Sequence, residues 1–159
     1  RRQGEGIAEL GWGRPARMPV VIIAVVYGLA WTSMSYMRGG DPLAFPWQRP
    51  IMMAIGLVLA FAEEIAVRGL ILDRLARCGT SRLLQIVVTA AIMAVYHGVV
   101  GHSIWPSYMV SSFVIFGILS AIYVYGGRSL TPVFIAHAMT HFLGDPALRQ
   151  GILYGVGAG

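Results

Sequence analysis

The sequence predicts an all-helical membrane protein, a polytopic bundle with about five transmembrane spans. Of the 159 residues, 57% are hydrophobic and only 12% are charged, which is about half the charged fraction of an ordinary soluble domain. The mean hydropathy is +0.69. Apolar stretches of about 18 residues recur along the chain, and each is about long enough to cross a hydrocarbon core of roughly 30 Å.

The predicted spans are apolar stretches separated by turns that contain glycine, proline or charged residues. In chain order they are Val20–Met37, Ile51–Leu72, Leu83–Val100, Tyr108–Tyr125 and Leu130–Leu143. The last is the shortest and carries two histidines. Tryptophans fall mainly near span ends, and we interpret Trp12, Trp31, Trp47 and Trp105 as interfacial anchors.

The first residues mix glycine, proline, tryptophan and arginine. They lack the charged start, apolar core and cleavage site of a signal peptide. We therefore predict an interfacial lead-in over residues 1–18 and one helical domain over residues 19–159. Because no methionine begins the sequence, we expect an excerpt from a longer membrane protein.

Basic residues predict the orientation, and all twelve are arginines. Eight of them flank the predicted spans on one side: Arg1, Arg2, Arg14, Arg17, Arg74, Arg77, Arg82 and Arg128. On the opposite side are Arg38, Arg49 and Arg149. This excess predicts a cytoplasmic amino-terminal segment. We expect a bacterial cytoplasmic membrane as the location.

The net charge of +5 does not indicate nucleic-acid binding. The arginines flank apolar spans and form no separate basic face of the kind that such binding needs. They fit membrane topology and anionic lipid headgroups, so the lipid bilayer is the expected partner. The single cysteine, Cys78, excludes an intrachain disulfide and a multi-cysteine metal site.

Three ionisable residues interrupt the second predicted span: Glu63, Glu64 and Arg68. A charged group at bilayer depth costs at least a few kcal/mol, so such groups usually have a partner or a function. Glu64 and Arg68 are four residues apart and can form an ion pair on one helix face. Glu63 points about 100° away from Glu64. We predict that Glu64 and Arg68 are a structural brace and that Glu63 is available for chemistry.

Three of the four histidines also lie within predicted spans. His137 and His141 share one helix face because they are four residues apart. At a rise of about 1.5 Å per residue, the depths below the cytoplasmic span ends are roughly 14, 21, 10 and 16 Å for Glu63, His97, His137 and His141. These depths overlap, so the four side chains are predicted to converge on one site. His102 lies beyond the third span and is predicted to be solvated.

The order and spacing of these residues resemble the three motifs of the CPBP intramembrane endopeptidases. The motifs are Glu63-Glu64-x-x-x-Arg68-Gly69, Met93-x-x-x-His97 and His137-x-x-x-His141. The family includes CAAX prenyl proteases of the Rce1 type and bacterial Abi, or bacteriocin self-immunity, relatives. The resemblance extends from about Pro50 to Gly144.

Two positions depart from the family pattern. Met93 stands where the family usually has phenylalanine, which is a conservative change for a packing role. His141 stands where the family usually has asparagine, and this difference affects the chemistry. An imidazole N–H replaces an amide N–H as a donor only in a suitable tautomer or protonation state.

The resemblance implies hydrolysis of a peptide bond in a peptide or protein substrate at the membrane. It implies that Glu63 is the general base and that His97 helps to hold and activate the water. It further implies that His137 and His141 polarise the scissile carbonyl and stabilise the oxyanion. No metal is favoured on this interpretation.

Three alternatives remain open from the residues. A zinc protease could use Glu63, His97, His137 and His141 as ligands, although the glutamate that follows the first histidine of HExxH enzymes is missing. A proton-relay transporter could use the same groups, although no inverted second half is visible. A non-catalytic immunity or scaffold protein needs no chemistry at all. The substrate, its lipidation and the oligomeric state do not follow from the sequence.

Overall fold

The computed structural model describes residues 6, 8–37, 49–100 and 107–143, which form helices and turns and contain no strand. The helices are α1 (Met18–Met37), α2 (Arg49–Glu64), a π-helical segment (Ile65–Leu72), α3 (Asp73–Arg77), α4 (Arg82–Val100), α5 (Ser107–Tyr125) and α6 (Leu130–Leu143). The predicted all-helical class is confirmed. His102, Trp47 and Trp105 lie outside the described residues.

Each of the five predicted spans corresponds to helix. The first four helices of the prediction begin slightly earlier in the structure, and the fifth has the predicted bounds. The second span differs most, because α2 continues without a break through the π-helical segment and α3 to Arg77. This continuation carries the helix beyond the apolar stretch into a charged turn that contains Asp73 and Arg74.

Helix α6 lies at the centre of the packing, against α1 and α2, and it also contacts α5. Helix α4 pairs with α5 along most of its length and contacts the π-helical segment. A buried hydroxyl contact joins this pair, with Thr89 Oγ1 3.0 Å from Ser120 Oγ. The arrangement brings three parts of the chain together: the end of α2, the middle of α5 and the middle of α6.

The lead-in packs against one end of the bundle. Leu130 N–H donates to Gly11 O at 3.0 Å, and Ser129 Oγ donates to Arg14 O at 2.7 Å. Gly11 has φ +99°, and a Cβ there would lie 2.5 Å from Arg128 O, so only glycine fits. Trp12 packs edge-on against Phe61 and Phe134, with ring centroids 4.9 and 5.3 Å apart.

Large apolar side chains are exposed on α1, α4 and α5. Examples are Ile22 and Val26 on α1, Leu83 on α4, and Val110 and Val114 on α5. An apolar surface of this extent is typical of a membrane or protein contact. Within the described residues, one helical stretch, Arg82–Val99, has the length and hydropathy of a membrane span. Helices α1 and α5 contain shorter apolar stretches. The structure therefore has a helix at each of the five predicted spans, and among the described residues one of these helices is long and apolar enough to cross a membrane.

Candidate functional site

A buried ion pair lies at the junction of α2 and the π-helical segment. Arg68 Nη1–H donates to Glu64 Oε1 at 3.1 Å, and the side chains of Arg68 and Glu64 are 0% and 1% exposed. Arg68 Nη2–H donates to Phe116 O on α5 at 3.1 Å, and the guanidinium lies 5.1 Å from the centre of the Phe116 ring. Two hydrogen-bond acceptors and a ring contact thus offset part of the cost of burying the arginine.

The helix changes its hydrogen bonding directly after the two glutamates. The segment Ile65–Leu72 is π-helical and buries Val67, Arg68, Gly69 and Leu72. Such segments are rare and often occur at functional sites. The charged cluster marks this place in the sequence, but no pattern in the sequence distinguishes a π-helical turn from an α-helical one.

His137 lies between the two glutamates. Its Nδ1 is 2.8 Å from Glu64 Oε1, and its Nε2 is 3.8 Å from Glu63 Oε2. Because Glu64 is paired with Arg68 as an ionised carboxylate, its Oε1 can only accept, so the His137 proton is on Nδ1 and Nδ1–H donates to Glu64. Nε2 is therefore the ring atom that faces Glu63. The contact between Glu64 and His137 adds to the brace that the sequence predicts for Glu64 and Arg68.

His141 follows His137 by one turn of α6. The two Nε2 atoms are 3.3 Å apart, and because the proton of His137 is on Nδ1, His141 Nε2–H donates to His137 Nε2. The His141 ring lies against the backbone of α2 at Gly56, where an added Cβ would be 2.5 Å from Nδ1 of the histidine. The glycine allows α2 to approach α6 closely enough for His141 to occupy this position.

His97 is held by its own helix. Its Nδ1–H donates to Met93 O at 2.8 Å, because a carbonyl oxygen can only accept. Nε2 is then the acceptor atom of the neutral ring. The contact uses the main chain of Met93, so it does not depend on the phenylalanine that the family usually has at this position. The His97 ring is 4.7 Å from the ring of Phe116, measured between centroids.

Two aromatic residues complete the site, and the sequence did not predict either of them. The Phe116 ring lies next to His97 and is also 5.4 Å from the His137 ring. Trp31, interpreted from the sequence as an interfacial anchor, stacks on His137 with centroids 5.7 Å apart and planes at 23°. That interpretation is wrong for Trp31, because its position near a span end does not reveal which helix its ring faces.

The structure thus brings most of the predicted site residues into direct contact. His137 links Glu63, Glu64 and His141, and Arg68 adjoins Glu64. His97 approaches this group across the Phe116 ring. Among the described residues, no three His, Cys, Asp or Glu side chains are arranged to hold one metal ion.

Comparison with known proteins gives one family. The model of the type II CAAX prenyl endopeptidase Rce1-like family matches residues 45–143, which include all three sequence motifs and begin after α1. No significant match was found among curated proteins or among solved structures. Since the matched residues make up more than half of the chain, this protein belongs to the Rce1-like family, whose members are membrane-embedded.

Proposed function

We propose that the protein is an intramembrane endopeptidase that hydrolyses a peptide bond with Glu63 as the general base. Membership of the Rce1-like family implies a peptidase and a peptide substrate. The observation that carries the assignment is the contact of His137 with both glutamates, at 2.8 Å from Glu64 and 3.8 Å from Glu63. Two carboxylates around one imidazole supply a base, Glu63, and a group that orients the imidazole, Glu64, in a small volume.

In the proposed first step, Glu63 takes a proton from a water molecule as the water oxygen bonds to the scissile carbonyl carbon. Glu63 suits this role because its side chain is 18% exposed, whereas that of Glu64 is 1% exposed. Glu64 is also occupied by its contacts with Arg68 and His137. His97 presents Nε2 as an acceptor, which fits it to hold the second hydrogen of the water.

The oxyanion that forms needs a hydrogen-bond donor. Because the proton of His137 is on Nδ1, the N–H in the contact between the two Nε2 atoms belongs to His141, and the His141 ring can turn this N–H to the carbonyl oxygen. When the intermediate collapses, Glu63 returns its proton to the leaving nitrogen and the C–N bond breaks. The products are a carboxylic acid and an amine, which become a carboxylate and an ammonium ion when the acid's proton passes to the amine, and Glu63 is again a carboxylate.

The proposed role of the Arg68–Glu64 pair is to hold His137. Arg68 is fixed at two points, by Glu64 Oε1 and by Phe116 O. Glu64 accepts from Nδ1 of His137, so Nε2 is directed away from Glu64. The same logic applies to a carboxylate that orients the histidine of a catalytic triad.

The experiment that tests this function is cleavage of a membrane-proximal peptide library by purified protein in detergent. Glu63→Gln removes the base, and we expect roughly 10²-fold to 10⁴-fold slower cleavage. His137→Ala is expected to have a loss of similar size. Glu9→Gln is a matched control, because Glu9 is an exposed glutamate in the lead-in. Equal cleavage by the wild type and both site variants would make the assignment wrong.

The same assay distinguishes the remaining mechanisms. A metal-free peptidase keeps its activity in a chelator and contains no stoichiometric metal, whereas zinc at one equivalent with activity lost to chelation would favour a metalloprotease. A scaffold would tolerate Glu63→Gln in every functional assay, provided that the variant folds and inserts normally. A proton-relay transporter would lose transport in that variant without any peptide cleavage in the wild type.

The proposed topology is a bundle of about five spans with a cytoplasmic amino-terminal segment. The turn before α4 and the turn before α6 lie at the same end as the lead-in, because Arg128 Nη2–H donates to Gln85 Oε1 at 2.6 Å and Leu130 contacts Gly11. Cys78, the single cysteine, is exposed at this end. A membrane-impermeant maleimide should label Cys78 in inside-out vesicles and not in intact cells, and the reverse would overturn the orientation.

A further inference from the structure

Trp31 belongs to α1, outside the residues that match the family model, yet its indole ring contacts His137. The centroids are 5.7 Å apart and the planes are within 23° of parallel, so the rings lie face to face. Helix α1 packs against α6, which brings this turn of α1 to the histidine. A helix outside the residues that match the family model thus contributes a ring to the site.

The contact restrains a freedom that hydrogen bonding leaves open. Glu64 holds Nδ1 of His137 and His141 contacts Nε2, but both contacts are at the edge of the imidazole and neither covers its face, and the terminal torsion of histidine is broad. Trp31 covers one face of the ring. Phe116 meets it at 80° with centroids 5.4 Å apart, so a turn of the ring would break both aromatic contacts.

Trp31 is itself held in place. Its ring lies 6.1 Å from Phe116 at 81° and 6.2 Å from Tyr27 at 43°. Tyr27 is fixed in turn, because its hydroxyl donates to Ile115 O on α5 at 3.1 Å. A series of contacts therefore connects the backbone of α5 to the face of His137 through α1.

We propose that Trp31 is a positioning residue that keeps the His137 ring with Nδ1 toward Glu64 and Nε2 toward Glu63. Its effect on cleavage rests on the function proposed above. Its effect on the ring does not, because the orientation and tautomer of His137 can be measured without a substrate.

The first test is NMR of protein labelled with ¹⁵N in its histidines, in detergent micelles, where His137→Ala identifies the signals of His137. In the wild type the ¹⁵N shifts should show a protonated Nδ1, and the ring protons should carry the upfield shift of a stacked indole. Trp31→Ala should remove that upfield shift and move both ¹⁵N shifts toward an average of the two tautomers. Trp31→Phe, which keeps a ring, should retain the tautomer.

The control for this test is Trp12→Ala. Trp12 is also partly buried, but it packs on Phe61 and Phe134. The His137 signals should be the same in this variant as in the wild type. If Trp31→Ala leaves those signals unchanged while circular dichroism shows a folded protein, the proposal is overturned.

The second test is kinetic and uses the peptide library that the wild type cleaves. A misplaced catalytic group lowers the rate of the chemical step, so Trp31→Ala should lower kcat roughly 10-fold to 100-fold with little change in KM. Trp31→Phe should recover most of this loss. A rise in KM alone, or an equal fall in kcat in Trp12→Ala, would contradict a positioning role. A wild-type protein that cleaves nothing would refute the peptidase function and leave the NMR result to decide the position of the ring.

Discussion

Replacement of Arg68 by methionine tests whether burial, more than distance, determines the strength of the ion pair in this protein. The variant leaves the Glu64 carboxylate, 1% exposed, without its cation, and Phe116 O without its donor. Removal of one partner of a buried pair costs about 3–5 kcal/mol. A lost hydrogen bond from a charged donor to the carbonyl is worth about 1.5–3 kcal/mol and is part of that loss. We therefore expect the free energy of unfolding to fall by at least about 3 kcal/mol.

A second pair with the same spacing supplies the control. Arg77 Nε and Asp73 Oδ2 are 2.6 Å apart, closer than the buried pair, but the arginine side chain is 54% exposed. An exposed pair four residues apart on a helix is worth about 0.3–0.5 kcal/mol. Arg77→Met should thus lower the free energy of unfolding several times less than Arg68→Met does, although the Arg77–Asp73 distance is the shorter one.

Denaturant titration in detergent, followed by circular dichroism, measures both variants. The double variant Glu64→Gln with Arg68→Met should be less unstable than Arg68→Met alone, because it leaves no unpaired charge. If Arg68→Met and Arg77→Met reduce the free energy of unfolding by amounts within about 1 kcal/mol of each other, the argument from burial is refuted. A double variant as unstable as the sum of its single variants would also contradict it.

Two further predictions concern His141. Gly56→Ala places a Cβ 2.5 Å from His141 Nδ1, so cleavage should fall at least about tenfold and stability by about 1–3 kcal/mol. In the control Gly117→Ala the added Cβ meets only Ala90, at 3.6 Å, so cleavage and stability should be nearly unchanged. Equal losses of cleavage and stability in the two variants would refute the steric argument. His141→Asn restores the donor usual in the family and should cleave within about tenfold of the wild type, whereas His141→Ala should lose roughly 10²-fold. Equal rates for these two variants in the peptide assay would show that no donor is needed at this position.

Local pattern accounts for much of what the sequence predicted. Apolar stretches of span length gave the helices, and spacing of four residues placed Glu64 beside Arg68 and His137 beside His141. These relations hold within a single helix, where periodicity fixes which side chains are neighbours. The apolar stretch also predicted the bounds of α6, Leu130–Leu143.

The prediction was weakest where two helices meet. Depth counting placed Glu63 and His137 in one layer, but it could not show that His137 bonds Glu64 more closely than Glu63. The position of Trp31 near a span end suggested an interfacial anchor, because span boundaries do not encode the rotation of α1 about its axis. The π-helical segment was also missed, because its hydrogen bonding shifts without any change in hydropathy.

The sequence by itself determined the helical class, the positions of the helices, and which carboxylate, arginine and histidine side chains lie within them. Only the tertiary structure decided which atoms meet: Nδ1 of His137 with Glu64, Nε2 with Glu63 and His141, and the ring face with Trp31. The physical reason is that contacts within a helix follow from the repeat of its backbone. Contacts between helices depend on their rotation and approach, which close-packed sites such as Gly56 against His141 determine.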